Sequence, residues 1–216
     1  MDRGVSRGFL ATLQVYGDVA GSAESSSCAS ALKRVLKMRA LGALSSLHAI
    51  TQMIVAADLC SRGFRVEPEV ALNGGFVDIY ATLGDTRVVV EIESGYVPSR
   101  WISRLEEYLE SRVVWKAFKL SSLDALVVLA TPSHVRIPVP SSLLKQPQER
   151  SEQELRELQE KIRLYHSLRD KTTPAPLEEA ARLARLDGVA VVNIAERRVY
   201  YELSKPSSRE AQALLR

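Results

Sequence analysis

Apolar and polar residues alternate with a two-residue period through the middle of the chain, and this pattern predicts three consecutive β-strands. We expect these strands over Arg65–Leu72, Phe76–Leu83 and Thr86–Ser94. Short strands joined by tight turns favour an antiparallel meander. A continuous apolar run, Ala125–Ala130, predicts a further strand that is buried on both faces.

Apolar residues recur at helical spacing on either side of these strands. The strongest helix is expected over Ser45–Arg62, which is apolar nearly all round and ends at Gly63, so it should be buried against the sheet. A second helix begins near Ser99. A third, Glu152–Leu168, carries an amphipathic stripe that fits core packing or a dimer face better than a cofactor site.

The two ends of the chain add further elements to this centre. We expect a short strand over Phe9–Tyr16, a loop or disordered stretch over Gly21–Ser30, a basic helix over Ala31–Leu41, an extended arm over Ser133–Gln148, a helix over Leu177–Leu186, strands over Val189–Ile194 and Val199–Leu203, and a helical tail from Ser207. The predicted organisation is an N-terminal extension (1–43), a core (44–132) and a C-terminal extension (133–216). The C-terminal extension either continues the same sheet or forms a small lobe.

The amino-acid composition indicates a globular protein but does not identify a binding partner. The 216 residues carry a net charge of +3 and are 46% hydrophobic, which suits a globular core and permits a nucleic-acid partner. Cys28 and Cys60 form no CxxC pattern and are expected to be intracellular thiols. No apolar run is long enough to span a membrane and no signal peptide is evident, so we expect a cytoplasmic protein.

Several familiar catalytic patterns are absent from the sequence. It contains no GxxxxGK[ST] phosphate loop and no GxGxxG, which removes support for nucleotide hydrolysis and dinucleotide binding. It also contains no HExxH and no Cys/His zinc spacing. The acidic residues of the predicted meander are the constellation that remains.

Three carboxylates stand on the second and third predicted strands: Asp78, Glu91 and Glu93. Glu91 and Glu93 are two residues apart and therefore point to the same face, where Asp78 can meet them if the strands pair. Strands are depleted in acidic residues, and burying an unpaired charge is costly. A hard divalent cation such as Mg²⁺ would explain why these acidic residues lie on strands, because it prefers oxygen ligands.

The stretch NGGFVDIYATLGDTRVVVEIESG, with Asp78 on one strand and Glu91-Ile92-Glu93 on the next, resembles the metal-binding core of the PD-(D/E)XK nuclease superfamily. The resemblance covers roughly Leu44 to Pro132 and implies an α/β (α+β) protein with a restriction-endonuclease-like αβββαβ core, in which helices flank a mixed central sheet. It further implies that Asp78 and Glu91 ligate Mg²⁺ or Mn²⁺, helped by the Ile92 carbonyl.

The third motif position departs from the family, because Glu93 stands where the family usually has lysine. Glu93 would then ligate a second metal or orient the attacking water. The function implied is a divalent-metal-dependent endonuclease acting on DNA phosphodiester bonds, in DNA repair, recombination or restriction. The departure keeps open a catalytically inactive restriction-like fold that binds nucleic acid or protein, and a structural subunit that dimerises.

Two further pairs of residues are candidates for contacts with nucleic acid. His48 and Gln52 lie four residues apart on the first core helix, where they either hold a metal-bound water or phosphate or are satisfied core residues. Arg100 and Arg104 follow the third strand and either hold a phosphate or form surface salt bridges with Glu106, Glu107 or Glu110.

Overall fold

A computed structural model describes residues 7–21, 26–72, 75–120, 122–167, 177–204, 212 and 214. The helices are α1 Arg7–Ala20, α2 Ser26–Ala40, α3 Ser46–Ser61, α4 Leu105–Leu120, α5 Ser141–Leu144, α6 Glu152–Ser167 and α7 Leu177–Leu183, with 3₁₀ turns at Ser99–Arg104 and Pro147–Glu149. The strands are β1 Arg65–Leu72, β2 Gly75–Leu83, β3 Thr86–Ile92, β4 Leu126–Pro132, β5 Gly188–Asn193 and β6 Arg198–Leu203. The predicted central helix and all the predicted strands from Arg65 onward are therefore present.

The strands form one mixed six-stranded sheet in the order β1-β2-β3-β4-β5-β6. The first three strands are an antiparallel meander, as predicted, and β4 runs parallel to β3. The next strand, β5, is parallel to β4, and β6 closes the sheet as an antiparallel edge. The C-terminal strands thus extend the central sheet, which settles the alternative that the sequence left open.

Helices cover both faces of this sheet. On one face α1, α2 and α3 pack over Ile79, Val90 and Val128, and on the other α4, α6 and α7 pack over Val89 and Val127. Neighbouring residues of β3 and β4 therefore face different cores, as expected for strands that are buried on both sides. In the part of the chain that the structure describes, no helix has the length and apolarity needed to cross a membrane.

The N-terminal strand prediction was wrong, because Phe9–Tyr16 lies inside helix α1. The buried residues of α1, Thr12, Val15 and Val19, recur every three or four residues and pack on the α3 side of the core. The loop expected over Gly21–Ser30 was too long, since α2 begins at Ser26. The helical tail predicted from Ser207 falls outside the described residues except at positions 212 and 214.

The prediction of free thiols was also wrong, because Cys28 and Cys60 form a disulfide with a Cα–Cα distance of 6.0 Å. The bond joins α2 to the last turn of α3 across 32 residues of sequence. Such a pairing has no local sequence pattern, since it depends on how two helices pack against each other.

Candidate active site

The acidic residues occupy the positions that the strand pattern predicts. Asp78 lies on β2 and Glu91 on β3, which pair antiparallel between helices α3 and α4, and Glu93 follows β3 directly. Glu91 and Glu93 are only 3% and 2% exposed. Carboxylates buried to this degree need compensating charges nearby.

The alternation of β1 and β2 is broken where Glu69 lies opposite Asp78. The ladder pairs Pro68 with Ile79 and Val70 with Val77, and Glu69 adopts a positive φ of 53° between them. In consequence Val77 packs on the α4 side of the sheet, whereas Ile79 packs on the α3 side. Asp78 therefore lies at the point where the alternation breaks, and its side chain reaches groups from both helical layers.

On the α4 side, the three carboxylates gather around one ammonium group. Lys116 Nζ lies 3.3 Å from Glu91 Oε2 and 3.9 Å from both Asp78 Oδ2 and Glu93 Oε2. It also donates a hydrogen bond of 2.6 Å to the Ile92 carbonyl, the group that was expected to help hold a metal. The predicted acids do converge, and Lys116 lies at the point of convergence.

Two more basic side chains of α4 complete this cluster. Lys119 Nζ lies 2.7 Å from Glu91 Oε1, and Arg112 pairs with Glu93 Oε1. Sequence reasoning missed all three basic residues and chose Arg100 and Arg104 instead. The signal was present, because positions 112, 116 and 119 recur at i, i+4 and i+7 and so form one stripe of a helix.

Charge pairing controls the protonation of this cluster. Burial alone would lower the pKa of Lys116, but Glu91, Asp78 and Glu93 outweigh it and raise that pKa above its ordinary value. Burial likewise opposes ionisation of Asp78, yet His48 and Lys116 lower the pKa of Asp78 to about 2. At neutral pH we therefore expect the Lys116 ammonium to lie beside an ionised Asp78 carboxylate.

On the α3 side, Asp78 meets a second group of residues. His48 Nε2 lies 3.4 Å from Asp78 Oδ1, and the ligand atoms of His48, Glu69 and Asp78 all lie within 4.8 Å of one another. Gln52 Nε2 donates to Glu69 Oε1 at 2.9 Å and to the Asp78 backbone carbonyl at 2.6 Å. The break in β1 at Glu69 brings this side chain into the group.

His48 and Gln52 thus lie against Asp78, so the site includes side chains of helix α3. Burial raises the pKa of Glu69 above its ordinary value; the Gln52 hydrogen bond opposes this shift and Asp78 adds to it. Two acids and an imidazole at this spacing are a chemically suitable set of ligands for a divalent cation.

A cleft of about 330 Å³ opens beside the cluster. Its lining includes His48, Glu93, Tyr96, Arg112 and Lys116. Tyr96 is 70% exposed at this cleft, and its backbone carbonyl accepts a 2.5 Å hydrogen bond from Arg112. Charged groups of the cluster are therefore reachable by a ligand.

Arg100 and Arg104 lie on the 3₁₀ turn that precedes α4, and the described lining of the cleft does not include them. Their guanidinium groups lie 5.8 and 5.9 Å from the centroid of the Trp101 ring. Arg104 also pairs with Glu107 at 2.6 Å, which is the surface salt bridge that one interpretation of the sequence expected. Contact of either arginine with nucleic acid stays a prediction.

Asp78 should make the stability of the protein depend on acid pH. Its pKa is lowered from 3.8 to about 2, so its stabilising contribution is present above pH 3.8 and is lost as the pH falls through about 2. The shift corresponds to about 2 kcal/mol. Urea unfolding of wild type and Asp78→Asn should therefore show a difference that narrows between pH 5 and pH 2.

The exposed Asp124, whose side chain is 97% exposed, provides a matched control. Asp124→Asn should change the free energy of unfolding by less than about 1 kcal/mol at either pH. A difference between wild type and Asp78→Asn that is independent of pH would contradict the assignment of a lowered pKa.

Fold and site together define a mixed α/β protein in which a buried cluster of carboxylates and basic residues lies beside a cleft. Comparisons with protein-family models, with curated proteins and with solved structures find no match. A fold alone does not determine function, so the chemistry of the site is the basis for assigning one.

Proposed function

We propose that this protein is a divalent-metal-dependent nuclease that hydrolyses phosphodiester bonds of DNA, on a restriction-endonuclease-like core. The order of α3, the β1–β3 meander, α4 and β4 agrees with the αβββαβ core that the resemblance implies. The observation that carries the proposal is the convergence of Asp78, Glu91 and Glu93 on Lys116 beside an open cleft.

The residues around Asp78 fit a divalent cation, Mg²⁺ or Mn²⁺. Both oxygens of Glu91 are engaged by Lys116 and Lys119, so Asp78 is the carboxylate better placed to serve as a ligand. His48 Nε2 is buried beside it and has no hydrogen-bond partner among the described residues, which suits a metal ligand. When bound, such a cation polarises the phosphate and lowers the pKa of the attacking water.

Lys116 takes the role of the lysine that the acid-x-Lys motif places on the third strand. Its raised pKa keeps a proton on Nζ, so it acts as a fixed positive charge rather than as a base. At the cleft this charge would stabilise the negative charge that develops on a phosphate during hydrolysis. Glu93 also lines the cleft, and it would orient the water that attacks the phosphate.

A second candidate function is binding of nucleic acid without cleavage. The observation that favours it is that Lys116, Lys119 and Arg112 already compensate Glu91 and Glu93, so these carboxylates are stable without a metal. DNA would then be held by basic surface residues such as Lys33 and Lys37 of α2, which are exposed. Affinity should fall steeply with salt, because phosphate contacts release counterions.

Cleavage assays separate the two functions. We expect purified wild type to cut a panel of branched, nicked and single-stranded DNA with Mn²⁺ or Mg²⁺. Asp78→Asn, Lys116→Gln and Glu93→Gln should each reduce the rate by on the order of 100-fold, since each removes a charge that acts on the phosphate or the water. DNA binding by each variant is measured in parallel by fluorescence anisotropy.

Lys161→Gln is the matched control, because Lys161 is also a lysine of an ion pair, 2.6 Å from Glu110, but lies away from this cleft. It should cut like wild type. Salt-sensitive DNA binding with no cleavage of any substrate would contradict the nuclease function and support nucleic-acid binding instead. The absence of both activities would leave the dimerising structural subunit.

A further inference from the structure

The two oxygens of the Asp78 carboxylate face different surroundings. Oδ2 accepts a 2.6 Å hydrogen bond from the Ile92 N–H and lies 3.9 Å from Lys116 Nζ. Oδ1 points the other way, 3.4 Å from His48 Nε2. The oxygen toward α4, Oδ2, thus has a hydrogen-bond donor and a nearby ammonium, whereas the oxygen toward α3, Oδ1, lies beside an imidazole nitrogen.

Charge is unevenly distributed between these two sides. Of the described residues in the cluster, three basic side chains on α4 face four carboxylates, those of Glu69, Asp78, Glu91 and Glu93. The three basic groups lie nearest to Glu91 and Glu93, which leaves the excess negative charge with Glu69 and Asp78. Arg34 of α2 does approach Glu69, but it donates to the backbone carbonyl at 2.9 Å.

Two buried polar atoms next to Asp78 make no hydrogen bond within the described part of the chain: His48 Nε2, which lies 3.4 Å from Asp78 Oδ1, and Gln52 Oε1. Gln52 is fully buried, and its Nε2 donates both to Glu69 Oε1 and to the Asp78 carbonyl. Its orientation is therefore settled by two acceptors, which leaves Oε1 without a donor. An acceptor without a donor, beside two acids and an imidazole, indicates a missing positive charge or donor.

We propose that His48, Glu69 and Asp78 together bind one divalent transition-metal ion, and that Gln52 positions Glu69 for this purpose. Imidazole favours transition metals, whereas Mg²⁺ prefers oxygen ligands alone, so the site binds Mn²⁺ in preference to Mg²⁺. The metal therefore lies on the α3 side of Asp78 and does not use Glu91. This inference deepens the proposed function and rests on it for the reaction that the metal serves.

The observed spacing suits such an ion. Metal–ligand distances of about 2.1 Å place neighbouring ligand atoms about 3 to 3.5 Å apart, and His48 Nε2 lies 3.4 Å from Asp78 Oδ1. The three ligand atoms lie within 4.8 Å of one another, so a single ion can contact all three residues after a local adjustment of their side chains. The positive φ of Glu69 is what turns its side chain toward this group rather than along the regular strand.

Metal binding is measured directly, with no substrate present. Mn²⁺ alone is titrated into the protein, and the loss of the free-Mn²⁺ electron paramagnetic resonance signal gives the dissociation constant, with calorimetry as a second readout. Wild type should bind one Mn²⁺, and excess Mg²⁺ should displace it poorly. Glu69→Gln and His48→Asn should each weaken binding by roughly 10-fold or more.

Two variants test the position of the site. Glu67→Gln alters a half-exposed carboxylate on the same strand and should bind Mn²⁺ like wild type. Glu91→Gln should also bind Mn²⁺, which distinguishes this site from the Asp78–Glu91 pair that the sequence predicts. Melting temperatures without metal, together with circular dichroism spectra, establish that each variant is folded.

Loss of Mn²⁺ binding in Glu91→Gln, or wild-type binding in Glu69→Gln, would overturn the proposed ligand set. Failure of wild type to bind Mn²⁺ would overturn it as well. The proposed nuclease function is tested separately, by cleavage assays with Mg²⁺ and Mn²⁺. Binding of Mn²⁺ at this site without cleavage of DNA would contradict the proposed function and leave the metal site intact.

Discussion

Lys116→Met is expected to destabilise the protein by about 3 kcal/mol at pH 7, because it leaves buried carboxylates without their shared cation. Only 18% of the Lys116 side chain is exposed, so water cannot replace the lost ammonium efficiently. Methionine keeps much of the side-chain volume, which separates loss of charge from loss of packing. The free energy of unfolding is measured by urea denaturation, with an unchanged m value as the test of two-state behaviour.

The effect should depend on pH with a defined sign. Lys116 is one of the groups that lower the pKa of Asp78, so Lys116→Met should raise that pKa, and the difference between the two proteins should narrow as the pH falls toward 2 and Asp78 takes up its proton in both. Lys145→Met, which breaks the pair with Glu154 at a lysine side chain that is 44% exposed, should cost less than about 1 kcal/mol. Equal losses in the two variants would show that Lys116 is an ordinary surface lysine.

Reduction of the Cys28–Cys60 disulfide is expected to lower stability by about 4 kcal/mol, since it releases a loop of 32 residues in the unfolded chain. For a protein of this size, the melting temperature should fall by on the order of 10 °C. The bond ties α2 to α3, the helix that carries His48 and Gln52. Thermal unfolding is compared with and without a phosphine reductant, and free thiols are counted under denaturing conditions.

The double variant Cys28→Ala with Cys60→Ala serves as the control. It should melt near the temperature of the reduced wild type and should not respond to the reductant. A wild-type protein that yields two free thiols before reduction, or that melts at one temperature under both conditions, would contradict the disulfide and return these residues to the class of buried thiols.

The meander and its acids could be read from the sequence because they depend on local rules. Alternation along β2 and β3, together with a short turn, determines which residues pair, and Asp78 and Glu91 follow from that register. The central helix follows in the same way from its apolar spacing, its Ser45 cap and Gly63, whose φ is +86°. None of these features requires knowledge of distant contacts.

The same local rules failed where helical packing decided the outcome. The alternation of Phe9–Tyr16 fits a strand as well as a helix over so short a span, and packing of α1 against α3 selected the helix. The basic partners of the acids lie on α4 at positions 112, 116 and 119, whereas the basic residues predicted for the site, Arg100 and Arg104, lie at least eight residues earlier in the chain.

By itself the sequence determined a mixed α/β protein with three acids on an antiparallel pair of strands, because strand periodicity and turn chemistry act over a few residues. The tertiary structure alone decided which charges meet those acids. Lys116 reaches them across a helix–sheet interface, and Glu69 reaches Asp78 through a break in β1 with a positive φ. The Lys116 contact depends on the burial of charge, which is compensated only when the whole fold brings opposite charges together. The Glu69 contact depends on how β1 pairs with β2.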